Sequence, residues 1–307
     1  MPTLPSVDIV IPTLNCRRLL SKCLACLISQ DYPGHTRIVL MDGGSTDGTI
    51  ELGRSMGCDV FVRNGMFSTG LSGARNIALG LCTGELTWQI DVDNLIPDKH
   101  TLSRLVKPFL SIKELQLSMP VIKTSQDQSG LDCYMASLEH ARVFRMAESG
   151  KANANWIVME DASYGIANAT LIRTSLLIKV GGYDSDVRVL RRARKLGLSR
   201  AVIVQDASYI HLQAETWTGW VRKMVRRVRH YSNLTPKQLN EYFVPSSRDH
   251  SYRQHPFQEI SDAFSVGFQL WRKGEEYWIW GFLLIIGWFA VFLMSPRSLM
   301  RTYVHFL

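Results

Sequence analysis

Four times in its first 120 residues the chain repeats one pattern: a short apolar run, then a stretch with helical spacing, three times with a distinct polar cluster at the end of the run. The runs are VDIVI (7–11), RIVLM (37–41), DVFV (59–62) and LTWQI (86–90). Helical periodicity falls on 16–30, 47–56, 70–82 and 98–110. Strands that alternate with helices predict an α/β fold: a Rossmann-like, mostly parallel sheet flanked by helices. Such sheets bind ligands at the carboxyl ends of their strands. Polar clusters stand at those ends, at 12–15, 42–48 and 91–94, so the three are expected to converge on one crevice.

Each cluster has a bland reading and a chemical one. In IPTLN (11–15), Pro12 ends the strand and Asn15 can cap the next helix, as in many structural turns. In MDGGSTDGT (41–49), Asp42 ends a strand, the glycines permit close backbone approach, and Thr46 or Asp47 can cap a helix. A carboxylate at Asp42 can accept hydrogen bonds from a nucleobase or a ribose, while a Gly-rich turn needs no ligand. In DVDN (91–94), alternation along a strand would point Asp91 and Asp93 the same way. Two close carboxylates repel unless a cation accompanies them, and a hard divalent ion sharing a diphosphate is the natural guest. The bland alternative is a polar turn.

The order IPTLN, DGGSTDGT, GLSGARNIALGLCTGE, DVDN resembles the nucleotide-binding half of the glycosyltransferase family 2 enzymes, which have the GT-A fold. The resemblance is good over roughly 7–110 and looser over 160–212. It implies that Asp42 contacts the base of a nucleotide diphosphate sugar, with Pro12, Thr13, Asn15, Gly44 and Ser45 in the same pocket. Arg75 and Asn76 resemble an ArN element that sits close to the nucleotide. Asp91 would hold the ribose or a metal-bound water, and Asp93 would ligate Mn²⁺ or Mg²⁺. His211 follows SYIHL, where some relatives bring a histidine to the metal or the diphosphate; a structural histidine is the alternative. The family takes its catalytic base from an acidic pair in the frame D-x-x-x-x-x-R-x-x-x-x-G. Asp186, Arg192 and Gly197 match it, but Ser185 stands where the family usually has Glu. Asp184, and Asp161 beside Glu160, are the other candidate bases. The Q-x-x-R-W motif of processive polymerising relatives is absent, which points to transfer of a single sugar.

The C-terminal third reads differently. The run 277–294, YWIWGFLLIIGWFAVFLM, carries no charge over 18 residues and is long enough to span a bilayer. A buried helix or a segment lying in the interface is the alternative. ETWTGWVRKMVRRVRHY (215–231) forms a basic amphipathic pattern, with Trp217, Trp220, Met224, Val225 and Val228 roughly on one face. That pattern and the net charge of +8 suit an anionic partner, and the apolar run selects a membrane surface over nucleic acid. The expected organisation is a nucleotide-sugar half (1–120), an acceptor half (121–214), basic amphipathic helices with the polar linker 245–256 (215–273), and a C-terminal membrane segment (274–307). The expected enzyme is a metal-dependent, inverting hexosyltransferase at the cell membrane, its catalytic domain facing the cytoplasm, with a lipid-linked or polyprenyl-type acceptor. Cys23 and Cys26 form a lone CxxC without partner ligands, and Cys23 shares a helical stripe with Leu19, Leu20 and Leu27, so packing is the better reading. A nucleotidyltransferase would also use a nucleotide-binding sheet, but with a Gly-rich loop at the first strand, where this chain has IPTLNCRR. A catalytically dead membrane-bound scaffold is the non-enzymatic alternative.

Overall fold

The computed structural model describes residues 3–65, 70–126, 128–146, 150–153, 155–160, 162, 169–183, 186–212, 218, 256–276, 279–281 and 283. The run VDIVIPT becomes β1 (Val7–Thr13), buried at all its positions, as a strand covered on both faces must be. β2 (Thr36–Asp42), β3 (Asp59–Val62) and β4 (Leu86–Gln89) follow. β1 lies between β2 and β4, β3 flanks β2, and these pairings are parallel. Between the strands run α1 (Arg17–Ile28), α2 (Thr49–Ser55) and α3 (Gly70–Leu79). α1 buries Leu20, Cys23, Leu24 and Leu27 along one stripe, so Cys23 is a core residue and burial pushes its thiol pKa far up. α3 lays Ala74 and Ala78 on Val10, Val39 and Met41, small residues that let the helix sit close to the sheet.

The sheet does not stop near residue 120. β5 (Asn94–Leu95), α4 (Thr101–Ser111), β6 (Leu117–Ile122), α5 (Gly130–Met146), β7 (Lys151–Ala152), β8 (Trp156–Met159), β9 (Leu171–Arg173), α6 (Thr174–Lys179), α7 (Asp186–Lys195) and β10 (Ala201–His211) continue the chain. The strand order is β3-β2-β1-β4-β9-β6-β10-β8-β7, with β5 on β10. β9 runs antiparallel between β4 and β6, while β10 is parallel to β6 and antiparallel to β8 and β5. The expectation of a mostly parallel sheet therefore holds for the first four strands, and the whole sheet is mixed. The antiparallel strands β7, β8 and β9 span two to four residues, too short to carry a periodic signal.

The chain divides into two compact units, residues 1–123 with 143–212, and residues 124–142 with 213–307. In the second unit, α8 (Pro256–Arg272) buries Ala263, Val266 and Leu270, and Tyr134 Oη donates to the Ala263 carbonyl at 2.8 Å. The other side of α8 exposes Phe264 (50%), Phe268 (58%) and Trp271 (57%). The predicted basic helix over 215–231, the linker over 245–256 and the apolar run over 277–294 lie almost wholly outside the described residues. Among those that are described, no helix is long and apolar enough to cross a membrane.

Candidate active site

Thr13 and Asp42 are register partners at the carboxyl ends of β1 and β2, so the loops after the two strands start side by side. They are stitched together. Asp42 is fully buried and accepts four hydrogen bonds: Thr13 Oγ1 (2.9 Å) and Ser45 Oγ (2.7 Å) on Oδ2, and the amides of Gly44 (2.9 Å) and Ser45 (2.6 Å) on Oδ1. The Asn15 amide donates to Ser45 Oγ, and Asn15 Oδ1 accepts the Thr46 amide. The Arg17 amide donates to Asp47 Oδ2, and Cys16 donates to Thr49 Oγ1. Cys16 and Gly48 occupy the N-cap positions without side-chain caps of their own. Asn15 reaches across to the other loop, while Asp47 Oδ1 accepts the amide (3.1 Å) and the hydroxyl of Thr49, the first residue of α2. Gly44 is required there, because it adopts φ +98° and a Cβ would lie 2.3 Å from Asn64 Oδ1.

This geometry revises the expected role of Asp42. A carboxylate offers about four acceptor positions, and here four donors occupy them. The residue organises the loop, and a ligand reaching it would have to displace one of those donors. Asn15 remains open to a ligand: it is exposed, in the left-handed region at φ 47°, and its Nδ2 has no partner among the described residues. Pro12 is buried in β1 beyond Val10, the last β1 residue in register with β4. A residue without an N–H is accommodated where the pairing with β4 has ended.

The turn after β4 separates the two acids. The strand ends at Gln89, and the chain turns at Val92 and Asp93, so alternation along a strand does not govern DVDN. Asn94, fully buried, holds the turn: its amide donates to the Asp91 carbonyl (2.9 Å), its Oδ1 accepts the Asp91 amide (3.2 Å), and its Nδ2 donates to Asp93 Oδ1 (3.3 Å). Asp91 consequently meets Arg75, with Nη2 2.8 Å from Oδ1. Asp93 meets His211 at the end of β10, Nε2 3.4 Å from Oδ2, and the Asp93 carbonyl accepts the Leu212 amide at 2.7 Å. The sequence reading missed Asn94 as the part that sets the two apart; its place directly after the acids was the available signal.

Asn76 does not face the crevice as a free ligand. Both polar atoms of its side chain are engaged by the backbone of Tyr183, Nδ2 to the carbonyl and the amide to Oδ1, each at 2.6 Å. Of the candidate bases, Asp186 is the first residue of α7. Its side chain, and Asp184 and Asp161 entirely, lie outside what the structure describes. The neighbours of Asp161 are informative, however. Glu160 pairs with Arg200 (2.7 Å) and the Ala162 amide donates to the Ser199 carbonyl (3.0 Å). Both contacts lie just before Ala201, where β10 begins, while His211 ends the same strand roughly 30 Å away at about 3.3 Å per residue. Glu160 is thus remote from the two aspartates.

A divalent ion fits part of this constellation. Asp93 and His211 supply one carboxylate and one imidazole in contact, a mixed pair that suits Mn²⁺ better than the strictly oxygen-seeking Mg²⁺ when diphosphate oxygens and water complete the shell. Asp91 is directed to Arg75, and among the described residues no group of three His, Cys, Asp or Glu side chains is arranged to hold a metal. The expected trio of Asp91, Asp93 and His211 is therefore reduced to a pair.

Residues 8–132 match the family model described as Glycosyl transferase family 2. The N-acetylglucosaminyltransferase of Azorhizobium caulinodans is 31% identical over 113 residues, which are 34% of this chain and 28% of that protein. A PGL/p-HBAD biosynthesis glycosyltransferase of Mycobacterium tuberculosis is 30% identical over 105 residues, 33% of this chain and 40% of that protein. The matched part thus spans well under half of these relatives. The fold is shared with a mannosyltransferase of Pyrobaculum calidifontis solved with GDP-mannose and Mn²⁺ (TM-score 0.54, 20% identity, 99% of this chain and 81% of that one). It is also similar to mannosyl-3-phosphoglycerate synthase of Rubrobacter xylanophilus (TM-score 0.50, 18% identity, 76% and 77%).

Proposed function

We propose that this chain is a metal-dependent glycosyltransferase that moves one sugar from a UDP- or GDP-sugar to a lipid-linked acceptor at a membrane surface. The observation that carries the reading is the division of labour at the β4 turn: Asp91 on Arg75, and Asp93 on His211. It stands beside a rigid double loop at the ends of β1 and β2, inside a region matching glycosyl transferase family 2. The alternatives, a nucleotidyltransferase and a dead scaffold, gain no such support.

The donor's base and ribose lie along the double loop, where Asn15 offers its free amide. Asp91, held by Arg75, faces the ribose side. Asp93 and His211 would hold a divalent ion, which when bound would supply Lewis-acid chemistry toward the diphosphate leaving group. The acceptor hydroxyl attacks the anomeric carbon from the opposite face, with inversion, and gives up its proton to a carboxylate. Asp186, at the start of α7, is our assignment for that base. The membrane part of the reading is supported by the aromatic stripe Phe264, Phe268 and Trp271 on α8, followed by Arg272 and Lys273, which suits an anionic lipid surface. Our reading has the catalytic domain facing the cytoplasm, as expected for a domain that uses nucleotide sugars.

The test is a thermal-shift screen of UDP- and GDP-sugars with and without Mn²⁺, followed by transfer assays of each hit with polyprenyl phosphate in anionic vesicles. A ligand bound only by the folded state at 100-fold over its Kd adds about 2.7 kcal/mol of stability. One nucleotide sugar is expected to stabilise the protein in a Mn²⁺-dependent way and to release its nucleotide when acceptor is added. No shift and no release with any donor would overturn the reading.

A further inference from the structure

Two stretches 107 residues apart in sequence are fastened by one side chain. Asn76 lies on α3, directly after Arg75. Its amide closes on Tyr183 from both sides, donating to the carbonyl and accepting from the N–H, each at 2.6 Å. Tyr183 is buried and belongs to the loop that leads into α7. The loop is shaped to this contact: Gly182 adopts φ +78°, and a Cβ there would lie 2.4 Å from Asn76 Oδ1. From the other side, Arg192 on α7 donates to the Gly182 carbonyl. Arg75, one residue before the clasp, binds Asp91 and has its guanidinium carbon 6.0 Å from the centroid of the Tyr183 ring. A continuous set of contacts therefore runs from Asp91 through Arg75 and Asn76 to Tyr183, Gly182 and Arg192.

We infer that Asn76 is a positioning residue. It fixes the loop 181–183 against α3, and the contact of Arg192 with Gly182 ties that loop to α7. An amide in this place has one donor and one acceptor matched to one backbone residue, an arrangement that Asp, Ala or Ser cannot reproduce. The clasp acts on acceptor-side chemistry, because it holds the segment that carries Asp186, and it leaves the donor contacts of the double loop untouched. The kinetic part of this inference rests on the proposed transferase activity.

The experiment combines Asn76→Asp, Asn76→Ala and Gly182→Ala with two readouts. The first is hydrogen exchange at the Tyr183 amide, which needs no activity; about tenfold or more faster exchange is expected in both Asn76 variants. The second is kinetics set against binding. kcat for transfer is expected to fall about 10- to 100-fold, while the Kd for UDP or GDP with Mn²⁺ moves less than about threefold. Gly182→Ala, altering the opposite partner, is expected to give the same split. Asn76→Asp keeps the side-chain volume, so it remains informative if Asn76→Ala does not fold. Unchanged Tyr183 exchange would overturn the clasp. Nucleotide affinity and kcat falling together would overturn the positioning role and make Asn76 a donor contact. If the wild type transfers no sugar, the functional reading falls, and the exchange measurement still decides the clasp.

Discussion

The loop after β2 and the turn after β4 both end a parallel strand in carboxylates, and they use them differently. Asp42 is buried and surrounded by four donors from its own and the neighbouring loop. Asp91 and Asp93 are partly exposed, and Asn94 sets them apart, Asp91 on Arg75 and Asp93 on His211. A saturated carboxylate is scaffold, since its hydrogen-bonding capacity is taken up by the fold. A carboxylate with open positions keeps chemistry in reserve. Two aspartates of similar sequence setting thus differ in what their removal should cost: stability at Asp42, activity at Asp93.

Substitutions can break that contrast or sharpen it. Asp93→Asn should have the largest effect, lowering transfer by about 10³-fold or more, about 4 kcal/mol in barrier, with the melting temperature little changed. Asp42→Ala should do the reverse. It leaves the Thr13 and Ser45 hydroxyls and two amides without their acceptor and should cost about 3 kcal/mol in denaturant unfolding. If Asp42→Ala unfolded like the wild type, the scaffold reading would fail.

Asp8 extends the scaffold side of the comparison. Burial would raise its pKa, but Arg37 and the amides of Gly84 and Thr83 outweigh burial and hold the carboxyl below its usual value. Its stabilisation is therefore full above the unfolded-state value of about 3.9 and is lost as pH falls through the lower folded value. Asp8→Asn should destabilise by about 2 kcal/mol at pH 7, and the gap to wild type should close below about pH 4. A gap that stays constant down to pH 2 would contradict this. The smallest effect belongs to α8: replacing Phe268 and Trp271 with Ser should weaken binding to anionic vesicles about tenfold, measured by flotation, while leaving nucleotide binding intact.

The parallel half of the sheet was legible because its signals are local. VDIVI and RIVLM are apolar apart from Asp8 and Arg37, and each is followed within a few residues by Gly, Asn or Asp. The meeting of the loops after β1 and β2 followed from topology. What sequence could not supply is pairing between distant residues. Nothing near Asn76 announces Tyr183, and nothing near His211 fixes its approach to Asp93. The direction of Asp91 is not set by strand alternation, because the strand ends at Gln89, two residues before Asp91, and the chain turns at Val92 and Asp93. The same non-locality hid β9, three residues that insert antiparallel between β4 and β6.

The division of labour between Asp91 and Asp93 is tested most directly by titrating Mn²⁺ into the protein with UDP or GDP present, followed by calorimetry, for the wild type, Asp91→Asn and Asp93→Asn. Asp93→Asn should lose Mn²⁺-dependent nucleotide binding, whereas Asp91→Asn should retain it with affinity reduced by no more than about tenfold. Loss of Mn²⁺ dependence in Asp91→Asn, or its survival in Asp93→Asn, would contradict the assignment.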